Sequence, residues 1–189
     1  MGKLFVISGS SGVGKGTVIK ELLARNPEFK LSVSCTTRKP REGEVHGKNY
    51  FFLSREEFQA CIKRGDFLEW AEFSGNMYGT QRPYVDEKLA QGKSLILEID
   101  TKGALNVKKI MPEVTLIFIA PPSFEELEAR LRGRHTETEE AIQKRLESTK
   151  LELENSKYFD FQVINDSIEN AVNALEEIMK RNWYLNYNN

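Results

Sequence analysis

Three features of the sequence predict an α/β fold, a parallel sheet with helices on both faces. The run Leu4-Phe5-Val6-Ile7 is apolar throughout, as a strand buried on both faces must be. A Gly/Ser-rich stretch over residues 8–16 leads from it into a helical pattern at about 17–25, a strand-loop-helix unit. Further apolar runs, Leu95-Ile96-Leu97 and Leu116-Ile117-Phe118-Ile119, are each followed by a helical pattern, and Phe161-Gln162-Val163-Ile164 precedes a final helix at about 168–181. Because parallel strands need crossover connections, this alternation stacks helices above and below the sheet in three layers.

Two segments interrupt the alternation. Residues 36–84 are rich in Arg, Gly and aromatic side chains, with strand-like pieces at 50–53 and 68–73, and read as an inserted substrate subdomain. Between 130 and 145, Arg130, Arg132, Arg134 and Arg145 flank the acidic stretch Thr136-Glu137-Thr138-Glu139-Glu140, the composition of a flexible lid over phosphates. A chain of 189 residues supports one principal domain with such pieces attached.

Charge and cysteine usage exclude several classes. The 27 Lys and Arg nearly balance 28 Asp and Glu, so no global field points to nucleic acid or to an anionic membrane. Cys35 and Cys61 form neither a zinc pattern nor a disulfide framework, which favours a reducing, cytoplasmic setting. No apolar run approaches the length of a signal peptide or a membrane span. Met1-Gly2 opens like an acylation site, but Val6 stands where Ser or Thr is needed. The tail from Trp183 to Asn189 reads as aromatic packing at the end of the last helix, followed by a frayed terminus.

The chemistry begins at Gly9-Ser10-Ser11-Gly12-Val13-Gly14-Lys15, which has the spacing of a Walker A loop. Glycines there let successive backbone N–H groups curl around phosphate oxygens, the lysine reaches the outer phosphates, and the following helix aims its positive end at the same place. Gly16 takes the position after the lysine where Ser or Thr ordinarily meets Mg2+, and the hydroxyl arrives one residue later at Thr17. A loop so built holds Mg2+ mainly through nucleotide phosphates and water, which suits two bound nucleotides sharing one ion better than it suits a GTPase. A capping role for Thr17 in the first helical turn fits the sequence as well. Arg38 and Arg41, three apart around Pro40, can clamp a second phosphate with their guanidinium forks. Asp100, at the end of an apolar strand, has two readings: a carboxylate that acts on Mg2+ or holds an acceptor nucleotide, and the N-cap of a helix beginning near Thr101.

From Thr36 to Leu53, the sequence resembles the signature of the guanylate kinase family at every fixed position. The likeness extends from Val6 to about Asp166 through Phe67-Leu68-Glu69-Trp70-Ala71, Gly75-Asn76-Met77-Tyr78-Gly79-Thr80, Leu97-Glu98-Ile99-Asp100, Ile119-Ala120-Pro121-Pro122-Ser123 and Val163-Ile164-Asn165-Asp166. It implies a P-loop kinase core at about 1–33, 83–125 and 151–189, a GMP-binding insert at about 34–82 and a mobile lid at about 126–150. The implied reaction transfers the γ-phosphoryl of ATP to GMP, and to dGMP, giving ADP and GDP in purine nucleotide metabolism. ATP with Mg2+ would occupy Gly9, Ser10, Ser11, Gly12, Val13, Gly14, Lys15, Gly16 and Thr17, with Asn165 at the adenine and Thr17 or Asp100 as side chains available to the ion. Arg38, Arg41, Tyr50 and Tyr78 would bind the GMP phosphate, Glu69 with Ser34 and Thr80 the guanine edge, and Asp100 the acceptor nucleotide. Lys15, Arg134 and Arg145 would carry the transferring phosphoryl. His135 stands where the family usually has glycine, a substitution that would stiffen the lid. The implied partners are the small molecules ATP and GMP, without nucleic acid or membrane, for a monomer or homodimer.

Two other readings fit parts of the pattern. A kinase on the same scaffold could take another phosphorylated acceptor, such as a ribose bisphosphate, but Glu69, Ser34 and Thr80 argue for guanine. A non-enzymatic module of the kind found in scaffold proteins would use the same arginine and tyrosine pocket, but such modules characteristically have a degraded P-loop, and here the loop is complete.

Overall fold

The computed structural model describes residues 2–73, 75–133 and 138–184. In chain order its first elements are β1 (Leu4–Gly9), α1 (Lys15–Arg25), β2 (Phe29–Leu31), β3 (Cys35–Thr36), β4 (Phe51–Phe52), α2 (Arg55–Arg64), β5 (Phe67–Phe73) and β6 (Asn76–Gln81). There follow α3 (Arg82–Ala90), β7 (Ser94–Glu98), α4 (Thr101–Ile110), β8 (Thr115–Ala120), α5 (Phe124–Arg132), α6 (Glu139–Ser156), β9 (Phe161–Ile164) and α7 (Ile168–Tyr184).

The main sheet has the strand order β2-β7-β1-β8-β9, and every pairing is parallel. All six residues of β1 are buried, which explains why its sequence is an unbroken apolar run rather than an alternating one. The pleat still sorts them: Phe5 and Ile7 join Val18 and Leu22 of α1 and Val172 and Leu175 of α7, whereas Leu4 and Val6 join Leu89 of α3 and Val107 of α4. The three layers expected from the sequence are therefore present, with a separate core on each face of the sheet. Trp183 meets Phe29 edge-on at 6.4 Å, the aromatic packing expected at the end of the last helix.

Element ends depart from the sequence pattern where backbone geometry overrides it. The first helix starts at Lys15, two residues before the apolar periodicity begins, because Gly14 caps it with φ of 90° and releases the chain directly into helical geometry. Tyr50 precedes the short strand β4 rather than lying in it.

Residues between β2 and α3 build a second sheet in the order β4-β3-β6-β5, mixed in direction. It has its own small core, in which Phe58 of α2 is fully buried with Cys35 and Met77 and stacks on Phe67 at 4.4 Å between ring centroids. Helix α2 is held by a capping box between Ser54 and Glu57 and ends on Gly65 at φ 73°. Leu68 of β5 reaches out of this sheet into the α3/α4 core, which fixes the insert against the main body.

Beyond β8, α5 and α6 share a third cluster formed by Leu127, Leu131, Ile142 and Leu146. Helix α6 is one unbroken element of 18 residues, so the lid-to-core border expected near position 150 is not a break in the chain.

Replacing Phe58 with Ala should cost about 3–5 kcal/mol of stability, the usual loss for a fully buried phenylalanine, and urea unfolding measures it. Unchanged stability would show that the insert's cluster contributes nothing to folding.

Candidate active site

The carboxyl ends of β1, β7, β8 and β9 converge on one edge of the main sheet, the edge at which ligands of open α/β folds bind. There the chain turns from β1 into α1 through the predicted loop. Val13 is buried in the core and pins the loop from beneath, and its N–H bonds the Ser10 carbonyl at 3.1 Å. Thr17 and Val18 both donate backbone N–H groups to the Gly14 carbonyl. The first-turn amides of Lys15 and Gly16 have no acceptor within the helix, as at any helix N-terminus, and with the helix dipole they make an anion site.

Thr17 is exposed in the first turn of α1 and offers no cap, since Gly14 fills that role. Asn165, at the end of β9, is buried; its Nδ2 donates to the Val13 carbonyl at 2.7 Å, which holds the loop from the side. It also lines a cavity of about 540 Å³ with Gly12, Gly14, Thr17 and Ile168.

The second half of the site is a cavity of about 350 Å³ lined by Ser34, Tyr50, Glu69, Tyr78, Glu98 and Asp100. Glu69, on β5, lies opposite Thr80 of β6, whose hydroxyl donates to Glu69 Oε1 at 2.8 Å. Thr80 is itself fully buried and thus orients the carboxylate from behind. Burial pushes the Glu69 carboxyl up to about 7; the Thr80 hydrogen bond opposes that rise and the nearby Asp100 charge adds to it. A methyl group on Gly103 would sit 3.2 Å from Glu69 Oε2, close enough to press on the carboxylate.

Asp100 realises the capping reading: its Oδ1 accepts from the Gly103 N–H at 2.7 Å as N-cap of α4. It nonetheless lines the cavity and remains exposed, so capping does not remove it from the site.

At the cavity's outer wall Arg38 forms a two-pronged pair with Glu44, each contact at 2.9 Å, with its guanidinium 5.5 Å from the Tyr50 ring centre. The Arg38 guanidinium and the Arg41 backbone N–H hold the Glu44 carboxyl down to about 2. Tyr50 and Tyr78 lie 6.3 Å apart between ring centroids, and burial pushes the Tyr50 phenol above its usual value, which keeps it a neutral donor. Arg41 is exposed on the same turn as Glu44, engaged through its backbone.

Arg145, half-buried on α6, lines a cleft with Ser11, Asp100 and Glu152. Arg132 is occupied within the α5–α6 pair by Glu128 and Glu139. Arg134 and His135 lie outside the described residues, as does the side chain of Arg130.

Three carboxylates to which the sequence reading gave no role stand beside these groups. Glu44 orients Arg38, and Glu152 accepts the Ser11 N–H at 3.1 Å. Glu98 ends β7 opposite Ile7 of β1, and its Oε1 lies 4.0 Å from where a Cβ of residue 16 would be. Of these, Glu98 was within reach of the sequence, as the last residue of an apolar strand. A further cavity, of about 550 Å³, lies at the amino ends of the strands around Leu4, Arg82 and Val114, away from every one of these groups.

A loop with the build of a phosphate site, a second pocket that sets arginine and tyrosines beside a half-buried carboxylate, and an arginine-bearing helix between them define a nucleoside monophosphate kinase scaffold. The guanylate kinase family model matches residues 1–182. A guanylate kinase of Prochlorococcus marinus is 54% identical over 177 residues, covering 94% of this chain and 96% of the relative. That of Synechocystis sp. is 50% identical over 178 residues, with 94% and 93% covered. The crystal structure of guanylate kinase from Anaplasma phagocytophilum superposes with a TM-score of 0.74 at 34% identity, over 95% of this chain and 85% of that one. The chain belongs to the guanylate kinase family.

Because the folded form holds the Glu69 proton up to about 7 and the unfolded chain releases it near 4.5, stability from this group is present below about 4.5 and lost as pH rises through 7. Glu69→Gln should therefore stabilise the ligand-free protein at pH 8 by roughly 2–4 kcal/mol and by far less at pH 5, as read by denaturant melts at both values. A gain equal at the two pH values would contradict the half-buried, titrating carboxylate.

Proposed function

We propose how this ATP:GMP phosphotransferase uses the residues just described. ATP lies with its phosphates on the loop from Gly9 through Ser10, Ser11, Gly12, Val13, Gly14, Lys15 and Gly16 to Thr17, its adenine toward the cavity beside Asn165. GMP occupies the cavity between the two sheets, with guanine on Glu69 and Ser34 and phosphate toward Arg38, Arg41, Tyr50 and Tyr78. The observation that carries this reading is the half-buried Glu69 held by Thr80, in a cavity also lined by Glu98, whose carboxylate borders the loop at Gly16.

An ionised Glu69 accepts from the N1–H and 2-amino group of guanine. Adenine has no such pair of donors and would leave the buried charge unpaired, which is how a polar pocket rejects a near-isostere. The 2′-hydroxyl plays no part in that recognition, so dGMP serves as a second acceptor. Arg38 exchanges its Glu44 partner, wholly or in part, for the incoming phosphate, and Glu44 stores the guanidinium in the right plane until then.

Phosphoryl transfer asks the protein mainly for alignment and positive charge. Lys15 meets the outer phosphates, Arg145 approaches from α6 and Arg134 from the lid, while GMP's phosphate oxygen faces the γ-phosphorus. Closure of the lid excludes the water that would otherwise hydrolyse ATP.

Magnesium fits the oxygen donors at hand, which are hard ligands: the Thr17 hydroxyl and the Asp100 and Glu98 carboxylates, all exposed near the loop. Among the described residues no group of three or more His, Cys, Asp or Glu side chains could hold an ion alone, so these residues would bind it together with phosphates and water. When bound, the ion neutralises charge shared by the phosphates. No helix among the described residues is long and apolar enough to cross a membrane, and we place the enzyme in the cytoplasm, in purine nucleotide metabolism.

Lys15→Ala should lower GDP formation from ATP and GMP by at least about a hundredfold, measured by coupled ADP release. An unchanged rate would remove the loop from the mechanism. GMP affinity should fall as pH drops below about 7, because protonated Glu69 loses one acceptor position, and Glu69→Gln should abolish that dependence along with most of the discrimination against AMP. Calorimetric titration of GMP from pH 5.5 to 8.5 tests it.

A further inference from the structure

We propose that Glu152 is a positioning residue for the phosphate loop, a latch that fastens the loop's shoulder at Ser11 to the helix carrying Arg145. The inference rests on the reading that ATP's phosphates occupy residues 9–17. Glu152 is half-buried on α6, and its Oε2 accepts the Ser11 N–H at 3.1 Å. Ser148, one turn earlier on the same helix, favours the ionised form of the same carboxylate. Burial pushes the Glu152 carboxyl up, while the Ser11 amide and the Lys15 charge pull it back toward ionisation.

A carboxylate at a phosphate loop can do one of two things. It can stand in for phosphate in the empty loop and be expelled by ATP, or it can hold a part of the loop that ATP does not use. The loop's own hydrogen bonds favour the second. Val13 N–H is taken by Ser10 and the N–H groups of Thr17 and Val18 by Gly14, which leaves for phosphate the amides of Gly12 and Gly14 and, at the helix end, those of Lys15 and Gly16, all downstream of Ser11. Ser11 lies upstream of that end, next to Ser10, which is buried. The group that bonds Glu152 is the Ser11 amide, whereas Lys15 acts on it only as a charge, so the lysine ammonium stays available to phosphate.

The latch also links two parts of the site. Arg145 precedes Glu152 by seven residues on one continuous helix, two turns, so both project from the same face, and both line the cleft that contains Ser11 and Asp100. A shift of α6 that carries Arg145 toward the phosphates is transmitted to the loop through Glu152, and an ordered loop in turn holds α6.

Three variants test this with ATP and GMP varied separately. In Glu152→Ala the loss of a charge-assisted hydrogen bond should raise KM for ATP by about tenfold or more, while KM for GMP stays within about twofold. Glu152→Gln keeps an acceptor at the same reach and should restore KM for ATP to within about threefold of the parent. Glu152→Asp keeps the charge but withdraws it by one methylene and should behave like the alanine variant. Thermal melts accompany the kinetics, and Gln and Asp carry the comparison if the alanine variant does not fold. Tighter ATP binding in Glu152→Ala would mean that the carboxylate competes with phosphate, and would overturn the latch. So would parental KM for ATP in both Ala and Asp variants, or a wild-type-like Asp beside a defective Gln. Lys15→Ala, assayed in parallel, separates the two levels: if it leaves the rate unchanged, the reading of the loop itself fails, whereas a dead Lys15→Ala beside an unaffected Glu152→Ala fails only the latch.

Discussion

The conversion of a wholly buried strand into a helix within five residues is the constraint on which this molecule's site depends. Strand β1 is central, with parallel neighbours on both sides and apolar layers on both faces, so it can neither move nor bend. At its carboxyl end the hydrogen-bond ladder stops, and the chain must reverse into α1 without burying unsatisfied amides. Gly14, at φ 90°, permits the reversal, and Val13 anchors it in the core. A helix started so abruptly presents its unpaired amides and positive end to the space above the sheet. The anion site is thus a by-product of solving a backbone problem, and its rigidity comes from the immobility of β1.

The side chains around the loop extend that rigidity outward. Asn165 ties the loop to the end of β9, and Glu152 ties it to α6. Glu98, at the end of β7, borders both the loop and the acceptor cavity. The acceptor side is built on a separate small sheet with a core of its own, joined to the main body through Leu68. Glu69 and Thr80 keep their relation because both belong to the same strand pair.

Electrostatics divide along the same lines. The chain is almost neutral overall, yet the local fields are strong: positive at the α1 terminus, Arg38 and Arg145, and negative at Glu69, Asp100 and Glu98. A nucleotide needs that separation, with anionic phosphates at one end and a base offering N–H donors at the other. The cost of maintaining it without ligand shows at Glu69, whose carboxyl is driven up by burial and by Asp100. At Arg38 the charge is neutralised in advance by Glu44. In the proposed complex the half-buried Glu69 gains donors and Arg38 exchanges Glu44 for phosphate, and both changes favour the bound state.

Strand positions and the three-layer arrangement were legible in the sequence, as were the residues proposed for the phosphate loop and for most of the acceptor pocket, because each depends on a short run of residues. The apolar runs report burial on both faces, glycine spacing reports the loop, and 36–53 reports the pocket wall. The Ser54–Glu57 capping box is equally local and was there to be read. Other assignments depended on contacts that no local pattern encodes. The sequence could not choose between the two readings of Asp100, nor place Asn165 against the Val13 carbonyl, nor assign Thr80 to hold Glu69 from behind. Ser11 and Glu152 are 141 positions apart in the chain, and their meeting follows only from how α6 crosses the end of the sheet. The sequence by itself determined that residues 9–17 have the build of a phosphate loop and which residues are fit to bind a second nucleotide. Tertiary structure alone decided which carboxylates face the cavities and which support the loop, because burial and partner, not residue type, set a carboxylate's charge and direction.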